Sequence, residues 1–177
     1  MSSGMSGWTT KYLAIPFEDR GLTHKGCDCW GLYRLIMLQE CNIGLPAWPD
    51  VHAGADVQKL ETILAEASQP QWIPIERGKE AAFDVVLMKG IIKVETAKHM
   101  APIHIGCVVE PGLLIQIELG SGVTIGNYNN HFRIKKRVQG FYRYQGHKDR
   151  ASLNARELTG STSTSMSSPI SGGKHDG

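Results

Sequence analysis

The texture of the chain changes at about Pro74, and that change restricts the fold more than any other feature. Before it, apolar residues recur at helical spacing. After it, FDVVLMK (83–89), IHIGCVV (103–109), LLIQIEL (113–119) and GVTIGNY (122–128) are short aliphatic runs divided by glycine, proline or polar breaks, and GFYRY (140–144) makes a last one. Helices followed by a meander of strands predict an α+β domain built on an antiparallel sheet.

Two helices are expected in the first half. Asp28 is a favoured N-cap and precedes CWGLYRLIMLQEC, where Leu32, Leu35, Ile36 and Leu38 or Gln39 mark an apolar stripe; Asn42, Gly44 and Pro46 supply the stop. A second helix runs through ADVQKLETILAEA (55–67), with Val57, Leu60, Ile63 and Leu64 on one face. The far end reads differently. From Thr159 to Gly173, thirteen of fifteen residues are Ser, Thr, Gly or Pro, a composition that cannot repay its ordering entropy. The expected organisation is one domain over residues 1–146 and a weakly ordered tail over 147–177.

The chain has 177 residues and a net charge of +2, so it is long enough to bury a core and is not basic enough to imply a nucleic-acid partner. No apolar run approaches the length of a secretory signal or a membrane helix. The expectation is therefore synthesis in the cytoplasm without a signal peptide and without membrane insertion. Arg133, Lys135, Lys136 and Arg137 form a basic run that reads as a solvated face or a strand edge, with contact to anionic substrate carboxylates as the alternative.

Chemistry concentrates at GCDCWGL (26–32). With Asp28 as cap, Cys29 takes the first helical position, where unpaired backbone N–H groups and the helix dipole stabilise a thiolate and can hold a developing oxyanion. Cys27, two residues earlier, gains neither. Gly31 leaves space beside the sulfur. The C-x-C spacing is poor for a metal or redox pair, and no cofactor is expected. Of the seven histidines, His104 alone interrupts an apolar strand. Alternation sets His104, Gly106 and Val108 on one face of that strand and Ile103, Ile105, Cys107 and Val109 on the other. A turn at Glu110-Pro111-Gly112 returns a strand whose Leu114, Gln116 and Glu118 share a face. Either Gln116 or Glu118 can accept Nδ1–H of His104, leaving Nε2 for the thiol.

These residues resemble the NlpC family of papain-like cell-wall cysteine peptidases. The resemblance rests on DCWGL opening a helix, FDVVL, and HIGCVV, and it covers about residues 8–144. It implies a papain-like fold, with the nucleophile at a helix N-terminus packed on an antiparallel sheet. It also implies Cys29 as nucleophile, His104 as base, and a polar third residue twelve positions after the histidine, which selects Gln116. That residue is usually His in the family; Gln116 is neutral and adds no charge to an imidazolium. Phe17 stands where the family often has Tyr, twelve residues before the nucleophile, and Phe83-Asp84 stands for Gly-Asp. Phe17, Asp28 and Trp30 are the candidate substrate contacts, although Trp30 reads more readily as packing beneath the groove. The Trp of DCWGL, the stretch GLTHKGC and the terminal GFYR resemble the phage-tail branch more than the secreted wall enzymes. That implies a peptidoglycan stem-peptide substrate, often cut at γ-D-glutamyl–diaminopimelate, other tail-tip proteins as partners, and a place in the virion. The alternative is a structural tail-tip protein with a weak or vestigial site.

Overall fold

The computed structural model describes residues 7–47, 56–94 and 96–145. The expected tail, 147–177, lies outside the described residues. After a 3-10 helix at Thr9–Tyr12 come two short strands, β1 (Leu22–Thr23) and β2 (Gly26–Cys27), then helix α1 (Cys29–Cys41) and helix α2 (Asp56–Ala67). Strands β3 (Trp72–Ile75), β4 (Val85–Val94), β5 (Ala97–Glu110), β6 (Leu113–Glu118) and β7 (Gly122–Asn127) follow. A four-residue helix, α3 (Phe132–Lys135), precedes the last strand, β8 (Val138–Tyr144). This is the predicted α+β order.

Helix α1 starts and stops where its sequence dictates. The Asp28 carboxylate accepts from the Gly31 backbone N–H at 2.7 Å, satisfying a donor that has no partner inside the helix. At the other end Asn42 adopts a left-handed conformation (φ 53°), and the Ile43 N–H turns back to the Met37 carbonyl. The buried face is broader than the stripe read from spacing. Tyr33 and Met37 are buried with Leu32, Leu35 and Ile36, whereas Leu38 is 52% exposed. A helix covered on so much of its surface leaves few positions free to mark a single stripe.

The main sheet has six strands in the order β3-β8-β4-β5-β6-β7, every neighbouring pair antiparallel. One face carries Val85, Leu87, Ile105, Cys107, Val109, Ile115 and Ile117, which pack with α1 and with Ile63 of α2 in the main core. The other carries Val86, Met88, Val108, Leu114 and Phe141, packed with Tyr128 and Ile134 of α3. Burying each aliphatic side chain of these layers contributes roughly 1.5–3 kcal/mol, so two covered faces make the sheet the rigid part of the molecule.

Three features differ from expectation. Strand β3 begins at Trp72, ahead of the change in texture, and contains Pro74. It pairs only with β8, and an edge strand tolerates a residue that cannot donate to a second neighbour. Strands β4 and β5 continue past their apolar runs as a hairpin from Gly90↔Ala101 to Val94↔Ala97. The basic run is the expected solvated face at Arg133, Lys135 and Lys136 rather than a strand edge, and Arg137 departs from it. It forms α3 and the turn after it, with Lys136 over the Phe132 ring and Arg137 bonded inward.

Candidate active site

Cys29 is the first residue of α1 and is 4% exposed. It lines a small cavity with Leu32, Tyr33, Ile105, Gly106, Cys107 and Ile115, so the start of the helix sits on the middle of β5. A backbone bridge between Phe17 and Cys27 runs alongside, closed by Cys27 N–H to the Pro16 carbonyl and Glu18 N–H to the Cys27 carbonyl. The thiol of Cys27 is pushed up to about 12 by burial and by the negative charges of Asp28, Cys29 and Glu18. Burial likewise holds Cys107 well above the usual thiol range, with Cys41 and Asp84 adding to it. Cys27 and Cys107 therefore remain thiols at neutral pH, whereas Cys29 has the helix terminus to favour its anion.

Gly31 serves a purpose other than space beside the sulfur. A β-carbon there would lie 2.0 Å from the Gly21 carbonyl oxygen and 3.1 Å from Cys27 Cβ. The glycine admits the loop before β1 against the first turn of α1, and that contact fixes the strand leading into Cys29.

His104 and Gln116 meet where the sheet divides. Strands β5 and β6 pair from Glu110↔Leu113 to Cys107↔Ile115 and no further, while β6 goes on to pair with β7 through Glu118. Across that gap His104 Nε2 and Gln116 Oε1 are 3.1 Å apart, with both side chains buried. An amide oxygen can only accept, so Nε2 carries the proton and Nδ1 is the basic nitrogen. The tautomer is thus the reverse of the one expected from sequence. The choice between Gln116 and Glu118 is also settled for the direct bond, since the nearest Glu118 oxygen is 3.9 Å from Nε2. His104 is the register partner of Met88 and shares its face of the sheet, and Ile105 and Gly106 separate it from Cys107 along β5. Cys29 packs on Ile105 and Gly106, the next two residues of the strand.

The remaining candidates sit around this point. Asp28 is the buried cap of α1. Trp30 is 6% exposed, donates from Nε1 to the Pro46 carbonyl and packs on Tyr33 and Trp72; with Trp72, Leu87, Ile105 and Tyr142 it also walls an apolar cavity. Phe17 is half-buried against the main core. Phe83, which stands for the glycine of Gly-Asp, holds a left-handed backbone (φ 72°) and packs its ring on Trp8, 5.2 Å between centroids and tilted by 35°. Asp84 beside it is almost fully buried and accepts a two-pronged bond from Arg143, 2.7 Å on each prong, plus the Ala81 N–H. Arg137, one of the four cations of the basic run, bonds to Glu118 near the imidazole. Its only signal was the basic run, which does not reveal which of four cations turns inward.

An α+β sheet carrying a cysteine at a capped helix N-terminus, laid against a strand that bears a histidine, defines the papain-like fold. No family model matches the chain, and no curated protein sequence matches it. Solved structures do. A protein similar to a lipoprotein, of the NLP/P60 family from Staphylococcus aureus, superposes with a TM-score of 0.52 at 16% identity over 77% of this chain. This chain spans 38% of that protein's length. The NlpC/p60 domain of the peptidoglycan hydrolase SagA gives a TM-score of 0.48 at 16% identity, covering 76% of this chain and 92% of that one. The fold is that of the NlpC/P60 domains.

Proposed function

We propose that this chain is a cysteine peptidase that hydrolyses an amide bond in the stem peptide of peptidoglycan. The observation that carries the reading is the His104–Gln116 pair at the gap between β5 and β6, beside the strand residues on which Cys29 and the start of α1 rest. In the proposed reaction Nδ1 of His104 takes the Cys29 proton and the sulfur attacks the amide carbonyl. Backbone N–H groups at the α1 terminus hold the oxyanion. The C–N bond breaks as the imidazolium returns its proton to the departing amine, leaving a thioester. Water, deprotonated by His104, then attacks that carbonyl; the C–S bond breaks, the carboxylic acid leaves and the thiol is restored. Gln116 keeps the imidazole in the tautomer that leaves Nδ1 free.

The substrate comes from the likeness in fold and from the DCWGL and HIGCVV resemblance, and γ-D-glutamyl–diaminopimelate is the bond proposed. The phage-tail features of the sequence extend the proposal to a tail-tip wall hydrolase delivered by the virion, with other tail proteins as partners. Digestion of purified peptidoglycan by the wild-type and Cys29→Ala proteins, followed by mass spectrometry of released muropeptides, tests it. New peptide ends made only by the wild type are expected; equal release by both overturns the assignment.

A further inference from the structure

Gln116 is neutral, so the residue bonded to His104 offers no counter-charge when the imidazole takes a proton. A carboxylate stands behind it. Glu118 Oε1 lies 3.9 Å from His104 Nε2, the nitrogen already bonded to Gln116. The carboxylate is held from the far side. Arg137 Nη1 donates to Glu118 Oε1 at 2.5 Å, and Arg137 Nε donates to the Lys89 carbonyl at 2.7 Å. The Lys89 N–H in turn donates to the Arg137 carbonyl at 2.7 Å. Since β5 lies between β4 and β6, one arginine spans from the β4 backbone to the β6 side chain, past the β5 position occupied by His104. The clamp ties down Glu118 at the place where the β5–β6 ladder is open.

We propose that Glu118, oriented by Arg137, is a positioning residue for His104: it supplies the negative end that Gln116 lacks and favours the imidazolium partner of a Cys29 thiolate. The proposal rests on the Cys29–His104 reading given above. An opposite charge 4–6 Å away favours a charged group. Here the effect is moderated, because the Glu118 side chain is 34% exposed and Arg137 offsets part of its charge. The charged groups placed near the imidazole are Glu118 of β6, Arg137 before β8, which bonds to Glu118, and Lys89 of β4, which follows the register partner of His104. Glu118 is the one with an oxygen directed at Nε2.

Alkylation of Cys29 by iodoacetamide as a function of pH reads the thiolate directly and needs no peptide substrate. The full chain is used in wild-type, His104→Ala, Glu118→Gln, Glu118→Asp and Arg137→Lys forms, with the Cys29 adduct followed by mass spectrometry. His104→Ala is expected to slow the reaction at pH 6–7; no effect there overturns the Cys29–His104 pair and this proposal with it. If His104 does act, Glu118→Gln is expected to slow alkylation at pH 6–7 by about three- to tenfold, converging with the wild type above about pH 9, where the thiol ionises unaided. Glu118→Asp should recover part of the loss, and Arg137→Lys should lose less than Glu118→Gln. A Glu118→Gln profile that follows the wild type, or one changed equally at every pH, overturns the proposal and leaves the peptidase reading intact.

Discussion

The carbonyl oxygen of Gly21 occupies the space in which a β-carbon on Gly31 would stand, at a separation of 2.0 Å. The partner is backbone on a loop that also receives the Asp28 N–H through that same Gly21 carbonyl, so neither side yields easily. Gly31→Ala is expected to destabilise the protein by about 1–3 kcal/mol through overpacking, read as a lower urea midpoint with an unchanged slope. It should also speed alkylation of Cys27, since the same shift uncovers the β2 strand. A variant as stable as the wild type would contradict the contact.

His104 and Gln116 divide their work unequally. Removing a general base costs about 10²- to 10⁴-fold in rate. Removing a residue that only orients it costs about one hydrogen bond, roughly five- to tenfold. Muropeptide release by Gln116→Ala should therefore exceed that by His104→Ala by at least tenfold, at similar substrate affinity. Equal losses would mean that Gln116 contributes more than orientation.

Phe83 spends its life in a backbone region that favours glycine, next to the carboxylate that anchors Arg143. Phe83→Gly relieves about 1 kcal/mol of backbone strain but loses the ring contact with Trp8. The two nearly cancel, and a melting temperature within a few degrees of wild type is expected. Phe83→Val loses the ring and keeps the strain, so it should melt distinctly lower than Phe83→Gly.

Acid stability is linked to Glu80. Burial raises its carboxyl, but the backbone N–H groups of Glu80 and Gly78, the Tyr128 hydroxyl and the charge of Arg77 outweigh that and leave it below its ordinary value of 4.5. A group depressed on folding contributes stability that is present above the ordinary value and is lost as pH falls through the folded one. The Tyr128 hydroxyl that donates to Glu80 also accepts the Gly112 N–H of the β5–β6 turn, so the loss loosens that turn. Melting curves from pH 7 to 3 should fall more steeply for the wild type than for Glu80→Gln; parallel curves would argue against the linkage.

Much of this architecture can be read from the amino-acid sequence, because the signals are local. Asp28 caps α1 by contact with a residue three positions on, and the apolar runs of β4 to β8 declare themselves by composition. The β1–β2 pair could not be found that way, since two residues per strand carry no period. Strand β3 is disguised by Pro74, and the outer hairpin by its lysines, His99 and a glycine. At the site, the spacing from His104 to Gln116 reflects a turn of known length, and the bond between them is present. Which ring nitrogen makes it depends on how β5 and β6 diverge, a tertiary property. The inward turn of Arg137 is likewise invisible in a run of four cations.

Among the described residues, the outer half of the β4–β5 hairpin has ladder partners on neither flank: β8 stops at Met88↔Val138 and β6 at Cys107↔Ile115. Its amide protons can meet solvent by a local parting of two strands, with no cooperation from the rest of the sheet. In deuterium exchange, Gly90–Ile92 and His99–Ala101 should label at low protection, whereas Val85–Leu87 and Cys107–Val108 should wait for global unfolding. The molecule would then open in two stages, and the His104–Gln116 pair stands on the boundary between them.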